Sequence, residues 1–421
     1  MIFLSLRTSA HNQKILFTLR HNTIYMSPGV KSNIYKLYLI KVAKWFMLFM
    51  PIVVPFYKEN GLEMTEVMFL QGIYSITIVI LEIPSGYLAD VIGRKRTLLI
   101  GSILGFSGFL TYSLSGGVWG FLLAEVILGF GQSLISGADS ALLYDSLLDM
   151  RREKEYIKFE GRITSIGNGA EALAGILGGL LAGISLRTPY IAQTGIALIA
   201  VPAAFFLIEP VRHGIKPLLK FRDILQVVKY SLFINRELKR NIFFSALIGT
   251  ATLTMAWFVQ PVFLELKIPI EGFGLLWTLL NLTVGLFAAI AHWLEKKLDM
   301  AGTIILIAVS IPAGYIALSF NLTYTGIFIL FLFYAVRGFA TPVLKDYINR
   351  LTESNVRATV LSVRNFIIRL NFALIGPFLG WYTDHYTLAQ AFLLAGIIFM
   401  CLSLLTMFFF LRARRIMDNP H

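Results

Sequence analysis

The 421-residue chain is 57% hydrophobic and only 14% charged, and it carries a formal net charge of +13. A soluble domain is roughly 45–50% apolar and about 25% charged, so this composition excludes an ordinary soluble protein and indicates an integral membrane protein. The basic excess does not indicate nucleic-acid binding, because the bases lie between apolar runs, where orientation signals lie. The single cysteine, Cys401, cannot form an internal disulfide.

Twelve apolar runs reach the length of about 20 residues that spans a bilayer. Because every backbone group in lipid must be hydrogen-bonded within the protein, each run is predicted to be a helix. The predicted fold class is an all-α membrane protein with twelve transmembrane helices in two pseudo-symmetric six-helix bundles. The predicted spans are 33–57, 66–89, 97–115, 118–147, 160–184, 189–208, 241–264, 271–292, 302–320, 323–347, 358–381 and 386–411.

The spans divide six plus six around one long polar stretch. Its middle, 218–233, alternates apolar and charged residues at helical spacing, which predicts an amphipathic helix on the membrane surface or, alternatively, a partner-binding helix. Met26 lies just before the first span and is an alternative start. The predicted organisation is a disordered tail at 1–32, a bundle at 33–208, a cytoplasmic linker at 209–240, a second bundle at 241–412 and a cytoplasmic tail at 413–421.

The two halves of the sequence repeat each other weakly. Span 4 ends in ALLYDSL and span 10 in PVLKDYI, so Asp145 and Asp346 occupy matching positions, about 200 residues apart. Equivalent spans at a constant offset are what a duplicated six-helix unit predicts. Parallel halves of this kind are a transporter architecture, in which the solute site lies between the halves at the bilayer midplane.

Lysine and arginine residues predict the orientation of the chain. The loops on the side that carries both chain ends hold 23 of them, whereas the other side holds Lys58, Arg187 and Lys267. Short cytoplasmic loops carry the positive excess, so both termini are predicted to be cytoplasmic. The predicted location is the inner (cell) membrane, with the chain crossing the lipid bilayer many times.

The loop between spans 2 and 3 carries the stretch GYLADVIGRKRT, at 86–97. Gly93 permits a backbone turn that a side chain would obstruct. Asp90, at the end of span 2, is placed to meet a positive partner or a helix N-terminus. The alternative interpretation is that these charges serve only to orient the hairpin.

This stretch resembles the signature of the major facilitator superfamily, which reads Gly-x-Leu-Ala-Asp-x-x-Gly-Arg-Lys/Arg between helices 2 and 3. The twelve-span layout extends the resemblance from about residue 33 to 411. The resemblance implies secondary transport and a charged latch that favours the state closed to the cytoplasm. The latch would turn at Gly93 and join Asp90, Arg94 and Asp145 with the start of span 11.

Ionisable residues inside the spans are candidates for solute binding and coupling. A charge at mid-bilayer costs at least about 2.5–3.5 kcal/mol, so buried ionisable groups usually face a cavity or a partner. Glu171, Asp139 and Glu125 are candidate proton carriers, although Glu125 could also be solvated near the outer surface. Glu125, Gln132 and Asp139 are spaced by seven residues, which predicts one polar stripe on span 4. The candidate residues of a solute cavity are Lys41, Lys44, Gln132, Arg337 and Arg369.

Glu82 and Arg364 form a predicted inner gate. At 1.5 Å per residue, Glu82 lies about 12 Å and Arg364 about 9 Å inside the cytoplasmic helix ends. The family resemblance implies that helices 2 and 11 face each other, so the pair is expected when the cytoplasmic side is closed and lost when it opens. The alternative for Arg364 is a side chain that snorkels to the membrane surface.

These features predict a secondary active transporter that moves a small organic solute by alternating access, coupled to protons. The basic cavity residues favour an anionic or zwitterionic solute, and export is favoured over uptake. The signature of drug–proton antiporters is degraded, however. Glu125 stands where many of them carry an arginine, and the stretch 174–179 lacks the proline of their helix 5.

No enzyme activity, metal or cofactor is expected, and ATP is not the predicted energy source because the sequence contains no nucleotide-binding loop. The predicted partners are the solute, protons and lipid, without nucleic acid, and the protein is expected to be a monomer. The alternatives are a polytopic membrane enzyme and a non-transporting membrane sensor. An enzyme would need a catalytic group on a substantial loop, whereas the external loops are about five to ten residues long.

Overall fold

Twelve helices in the described residues are long and apolar enough to cross a bilayer, which confirms the predicted fold class. The structure is a computed structural model and describes residues 29–210, 226–353 and 356–418. The side chains of Ile83, Asp90, Ala358 and 411–418 lie outside this description. The helices are α1 (Ser32–Glu59), α2 (Met64–Ile92), α3 (Arg94–Leu114), α4 (Gly117–Asp149), α5 (Tyr156–Ala182), α6 (Thr188–Phe205), α7 (Arg236–Glu265), α8 (Ile270–Ala289), α9 (Ala291–Phe320), α10 (Gly326–Arg350), α11 (Arg357–His385) and α12 (Leu388–Asp418).

Several predicted segments outside the spans fall partly beyond the described residues. Most of the predicted N-terminal tail and most of the amphipathic linker helix lie there. The described end of the linker is helical and closes with the π-helix Tyr230–Ile234. The predicted tail from 413 is helical as far as Asp418, because α12 continues beyond its apolar run.

The order of the helices defines two faces of the molecule. We call the side that carries the α2–α3 loop, the α6–α7 linker and the ends of α1 and α12 nearest the chain termini the signature face, and the other side the opposite face. The positive-inside rule predicts that the signature face is cytoplasmic.

Two of the described helices, α1 and α4, are broken within their apolar runs, and α9 is interrupted at Asp299 near its start. α1 is non-helical at 46–49, where the Leu48 amide donates to Gln193 Oε1 of α6 at 2.9 Å. α4 is broken at Ser136 and Gly137, and Gly137 has φ +85°. Only glycine adopts that backbone conformation without steric cost. The break changes the direction in which the last part of α4 presents its side chains.

The two six-helix halves pack against each other through α2 with α11 and through α5 with α8. The α5–α8 contact is close: a Cβ on Gly274 would lie 2.2 Å from the carbonyl oxygen of Gly175. Thr278 Oγ1 donates to the Ala172 carbonyl at 3.2 Å beside it. Small residues of this kind let membrane helices approach until their backbones touch.

Polar side chains of α5 and α10 are exposed toward the signature face. They are Thr164, Ser165 and Asn168 on α5 and Thr341 and Lys345 on α10. Lipid cannot form hydrogen bonds with such groups, so we infer that they face a water-accessible space between the halves. These exposed groups indicate a gap between α5 and α10 toward the signature face, whereas α2 and α11 still touch on that side through Glu82 and Ser362.

Gly274→Ala should weaken the α5–α8 contact, because the added methyl group would overlap the backbone of α5. Overpacking of this kind costs typically about 1–3 kcal/mol, and we expect a lower midpoint of thermal unfolding in detergent. Gly285→Ala is the matched control on the same helix, since a Cβ there meets no atom within 4 Å. Equal midpoints for the two variants would contradict the backbone contact.

Candidate functional site

A cavity of about 280 Å³ lies inside the first half of the molecule. Helices α1, α2, α3, α4 and α6 line it, and Trp257 of α7 reaches it from the second half. Its walls are mainly apolar and aromatic, which is usual for sites that bind small organic molecules. The polar side chains that line it are Lys44, Gln71, Ser102, Glu125, Gln132 and the hydroxyls of Tyr57, Tyr74, Tyr112 and Tyr190.

Glu125 of α4 is the buried acid of this cavity, with only 5% of its surface exposed. The Tyr57 hydroxyl donates to Glu125 Oε1 at 2.9 Å, and Gln71 Nε2 donates to the same oxygen. Tyr112 contacts the Tyr57 hydroxyl at 2.5 Å and supports it from α3. The described residues place no basic side chain within 4 Å of this carboxyl group. The alternative of a solvated Glu125 is therefore wrong.

Asp139 does not share the cavity with Glu125 and Gln132, contrary to the predicted polar stripe. Its carboxylate lies 3.4 Å from Lys41 Nζ, and each side chain is 13% exposed. The break at Gly137 explains the difference, because regular helical spacing does not continue from Gln132 to Asp139 across it. Asp139 and Lys41 thus form a neutral pair outside the cavity.

Three further candidates lie deep in the membrane without a close ion pair. Glu171 of α5, Arg337 of α10 and Arg369 of α11 are partly buried. Glu171 lies within electrostatic range of Arg337, yet across the described parts of the chain no salt bridge of 4 Å or less includes either of them. Lys44 is likewise unpaired at that distance and lines the cavity. These groups are available to water or to a solute.

The signature stretch forms one of the ion pairs expected of the latch. Arg94 contacts Asp145 of α4 through its guanidinium and donates to the Ala141 carbonyl at 2.6 Å. Gly93 has φ +100°, so the turn before α3 requires glycine. The Asp90 side chain lies outside the described part of the structure, and its role stays a prediction.

Glu209, which the sequence did not single out, holds the start of α3 in place. It follows α6 and accepts hydrogen bonds from the amides of Arg94 at 2.9 Å and Lys95 at 2.7 Å. A carboxylate at a helix N-terminus satisfies free amides and interacts favourably with the helix dipole. A Cβ on Gly93 would lie 3.2 Å from this carboxylate. The available sequence signal was a single acid directly after an apolar span.

Glu82 and Arg364 do not form the predicted gate pair in this structure. Glu82 is exposed and accepts a hydrogen bond from Ser362 at 3.3 Å. Arg364 is buried, and its Nε donates to Ser245 of α7 at 2.5 Å. Ser362 and Arg364 are two residues apart and therefore point about 200° away from each other on a helix. Arg364 thus faces its own half, and Ser362 is the residue of α11 that meets Glu82.

Side-chain contacts join the halves at the opposite face, and sequence analysis missed them. Asp384 at the end of α11 accepts hydrogen bonds from the amides of Met64 and Thr65 at 2.9 and 2.7 Å, and from Thr65 Oγ1 at 2.6 Å. Gln260 of α7 accepts from the Val54 amide of α1 at 2.9 Å. Each contact caps a helix start or break of the first half with a side chain of the second.

Metal-binding clusters are not found in the described ranges, where no group of three or more His, Cys, Asp or Glu side chains could hold a metal ion. The cavity itself combines the carboxyl group of Glu125, the amine of Lys44 and the tyrosine hydroxyls given above.

Sequence comparison matches this chain to one family of membrane proteins. The family profile described as Major Facilitator Superfamily matches residues 42–375. Over 83 residues, 20% of this chain and 18% of the relative, the sequence is 36% identical to the "Inner membrane transport protein YajR" of Escherichia coli. Over 162 residues, 38% of this chain and 41% of the relative, it is 23% identical to the "Quinolone resistance protein NorA" of Staphylococcus aureus. The matched segments span less than half of these relatives.

Solved structures share the fold over nearly the whole chain. The nucleoside transporter NupG superposes with a TM-score of 0.74 at 14% identity, covering 91% of this chain and 99% of that one. A bacterial homologue of the human lysosomal transporter Spinster, in an inward-facing and unoccupied conformation, gives 0.74 at 15% identity and covers 94% and 100%. Identities this low show the fold alone.

Glu209→Ala should loosen the start of α3, because two amides lose their acceptor. Loss of a helix cap costs about 1 kcal/mol, so we expect faster tryptic cleavage at Arg94 to Arg96 in the folded protein. Glu209→Gln keeps an acceptor oxygen and should be intermediate. Glu353→Ala, at an exposed acid of the same face, is the control. Cleavage no faster than in this control would contradict the capping role.

Asp384→Ala should favour separation of α2 from α11 at the opposite face. A lost cap of about 1 kcal/mol corresponds to about a fivefold change in population. A cysteine in place of the fully buried Met68 of α2, in a Cys401→Ser background, should then react severalfold faster with a maleimide. Glu265→Ala, at an exposed acid near the end of α7, should leave the rate unchanged. Equal rates in the two variants would count against this closure.

Proposed function

This chain belongs to the Major Facilitator Superfamily and is therefore a membrane transporter, and from that premise we propose that it exports a small organic solute in exchange for protons, by alternating access. In this proposal the protein binds protons and solute alternately, in the cavity of the first half and in the space between the halves. One face of the molecule closes as the other opens.

The contacts between the halves support alternating access. Asp384 and Gln260 join the halves toward the opposite face, while polar side chains of α5 and α10 are exposed toward the signature face. This arrangement corresponds to a state closed at one face and open at the other. The contacts that hold it are hydrogen bonds, which water can replace when the opposite face opens.

Glu125 carries the proposal of proton coupling. Its carboxyl group is buried and hydrogen-bonded by the neutral donors Tyr57 and Gln71. A buried carboxylate without a basic partner is costly, and binding of a proton removes that cost. The tyrosine and glutamine side chains can bond either form of the acid, so Glu125 can take up and release a proton without rearrangement of the cavity.

Asp139 and Glu171 are weaker candidates for the coupling acid. Asp139 is already compensated by Lys41 at 3.4 Å. Glu171 is only partly buried and lies within electrostatic range of Arg337. It remains the second candidate because it faces the space between the halves.

Export is supported by the names of the relatives. "Multidrug resistance protein 2" of Bacillus subtilis is 26% identical over 38% of this chain, and NorA is named for quinolone resistance. Resistance by a transporter implies removal of a drug from the cell. A quinolone is therefore a suitable first solute for an assay.

Glu125→Gln should abolish the dependence of transport on a proton gradient while solute exchange at equilibrium persists, because glutamine keeps the shape and the hydrogen bonds but binds no proton. The measurement is accumulation of a fluorescent quinolone, and of a small panel of aromatic drugs, in proteoliposomes with an imposed proton gradient.

Glu59→Gln, at an exposed acid near the end of α1, is the control and should transport normally. If Glu125→Gln still accumulates solute against its gradient, Glu125 is not the carrier, and loss in Glu171→Gln would assign the role to Glu171. Transport by the unaltered protein that ignores the proton gradient would contradict proton coupling altogether. An enzyme or a sensor would move no solute at all.

A further inference from the structure

We propose that the solute carries an acidic group, and that Arg337 and the Tyr334 hydroxyl of α10 bind this group as an anion. The inference rests on the proposed function, because it names the chemical class of the solute that the transporter takes. The remainder of the solute would be apolar and aromatic and would occupy the cavity that contains Glu125.

Arg337 is a guanidinium in the middle of α10 without an acidic partner. No acid lies within 4 Å of it among the described residues, and its Cζ lies 5.2 Å from the ring centroid of Tyr334. Arginine does not give up its proton in proteins, and a charge at this depth is costly without water or a counter-charge. An anionic solute that enters from the open face supplies that counter-charge.

Tyr334 provides a second donor at the same place. Its side chain is fully buried beside the Arg337 guanidinium, and its hydroxyl donates to no acceptor among the described residues. A buried hydroxyl that donates to nothing is costly, so Tyr334 favours an acceptor that binds beside Arg337. Tyr334 and Arg337 are three residues apart and therefore neighbours on the same side of the helix.

A carboxylate fits this pair of donors. The planar guanidinium matches the two oxygens of a carboxylate, and such bidentate bonds are stronger than bonds between neutral groups. The Arg337 Cζ lies at a cation–π distance from the Tyr334 ring, which favours one position of the guanidinium before the solute arrives. Pre-organised donors lose less conformational freedom on binding.

The other deep charges of the molecule favour an anion as well. Lys41 is neutralised by Asp139, whereas Lys44 and Arg369 have no acid within 4 Å among the described residues. The buried acid Glu125 is satisfied by neutral donors. Of the described deep groups without an ion pair, Lys44, Arg337 and Arg369 are basic, and Glu171, which lies within electrostatic range of Arg337, is acidic, so positive charge is in excess where a solute would pass.

Tyr315 and α7 connect the anion site to the aromatic cavity. The Tyr315 ring packs on Phe333 of α10, with 5.5 Å between the ring centroids, and its hydroxyl donates to the Ala251 carbonyl of α7 at 2.6 Å. Trp257, farther along α7, lines the cavity. The proposed solute would extend from Arg337 on α10 toward Trp257 on α7, with its acid at Arg337.

The test is a binding measurement on the purified protein in detergent, which requires neither transport nor a gradient. The probes are three fluorescent aromatic carboxylic acids, one of them a quinolone, each paired with its methyl ester. We expect at least one acid to bind about tenfold or more tightly than its ester, since a bond to a charged group is worth about 1.5–3 kcal/mol. Arg337→Gln should remove that preference and leave ester binding unchanged.

Two milder variants keep the test independent of folding. Arg337→Lys keeps the positive charge but loses the planar guanidinium that can bind both carboxylate oxygens. It should therefore retain only part of the preference for the acid over the ester. Tyr334→Phe removes only the hydroxyl and should weaken the acid severalfold but not the ester. Arg350→Gln, at an exposed arginine already paired with Asp346 on the same helix, is the control and should bind like the unaltered protein.

Equal binding of acid and ester in every pair would overturn the proposal, as would equal loss of both in Arg337→Gln or an unchanged preference in Tyr334→Phe. These results do not depend on proton coupling. A transporter that binds acids selectively but ignores a proton gradient would contradict the proposed coupling and support the anion site.

Discussion

Backbone groups at helix starts and breaks must find partners, and in this membrane protein side chains of other helices provide them. Lipid offers no hydrogen bonds, so a free amide in the membrane is costly. Gln193 satisfies the break in α1, Glu209 the start of α3, and Asp384 the start of α2. Each of these bonds also fixes the position of one helix relative to another. The shape of the transporter thus depends on a few long-range caps.

The same caps connect the fold to conformational change. Glu209 links two helices of one half, so it can persist while the halves move. Asp384 links the two halves, so in the proposed alternating access its hydrogen bonds would have to break when the opposite face opens. Because its partners are amides at a membrane surface, water can take its place. A charged cap of this type gives a closed face that is stable yet reversible.

The ionisable groups within the spans and at their ends divide into compensated and uncompensated ones. Arg94 with Asp145 and Lys41 with Asp139 neutralise each other within the first half. Glu125 has only neutral donors close to it, and Arg337 has an aromatic ring. Compensated pairs stabilise a fixed structure. Uncompensated groups respond to what enters from solution, and this is why we propose them for coupling and solute binding.

The sequence by itself determined the number of spans, the signature loop and the list of deep charges, because each depends on local composition or on a contiguous motif. An apolar run long enough to cross a bilayer has to form a helix there, so twelve such runs predict twelve transmembrane helices. The signature turn at Gly93 and the pairing of Arg94 with Asp145 follow the resemblance to the family, and the structure forms both.

Only the tertiary structure decided which charges meet. The break at Gly137 separates Asp139 from Glu125, which regular helical spacing could not foresee. Arg364 faces α7 instead of Glu82 because the rotation of α11 is set by its packing. Gln193, Glu209 and the other capping residues lie far along the chain from the amides they bind, so their partners depend on how the helices are arranged in space.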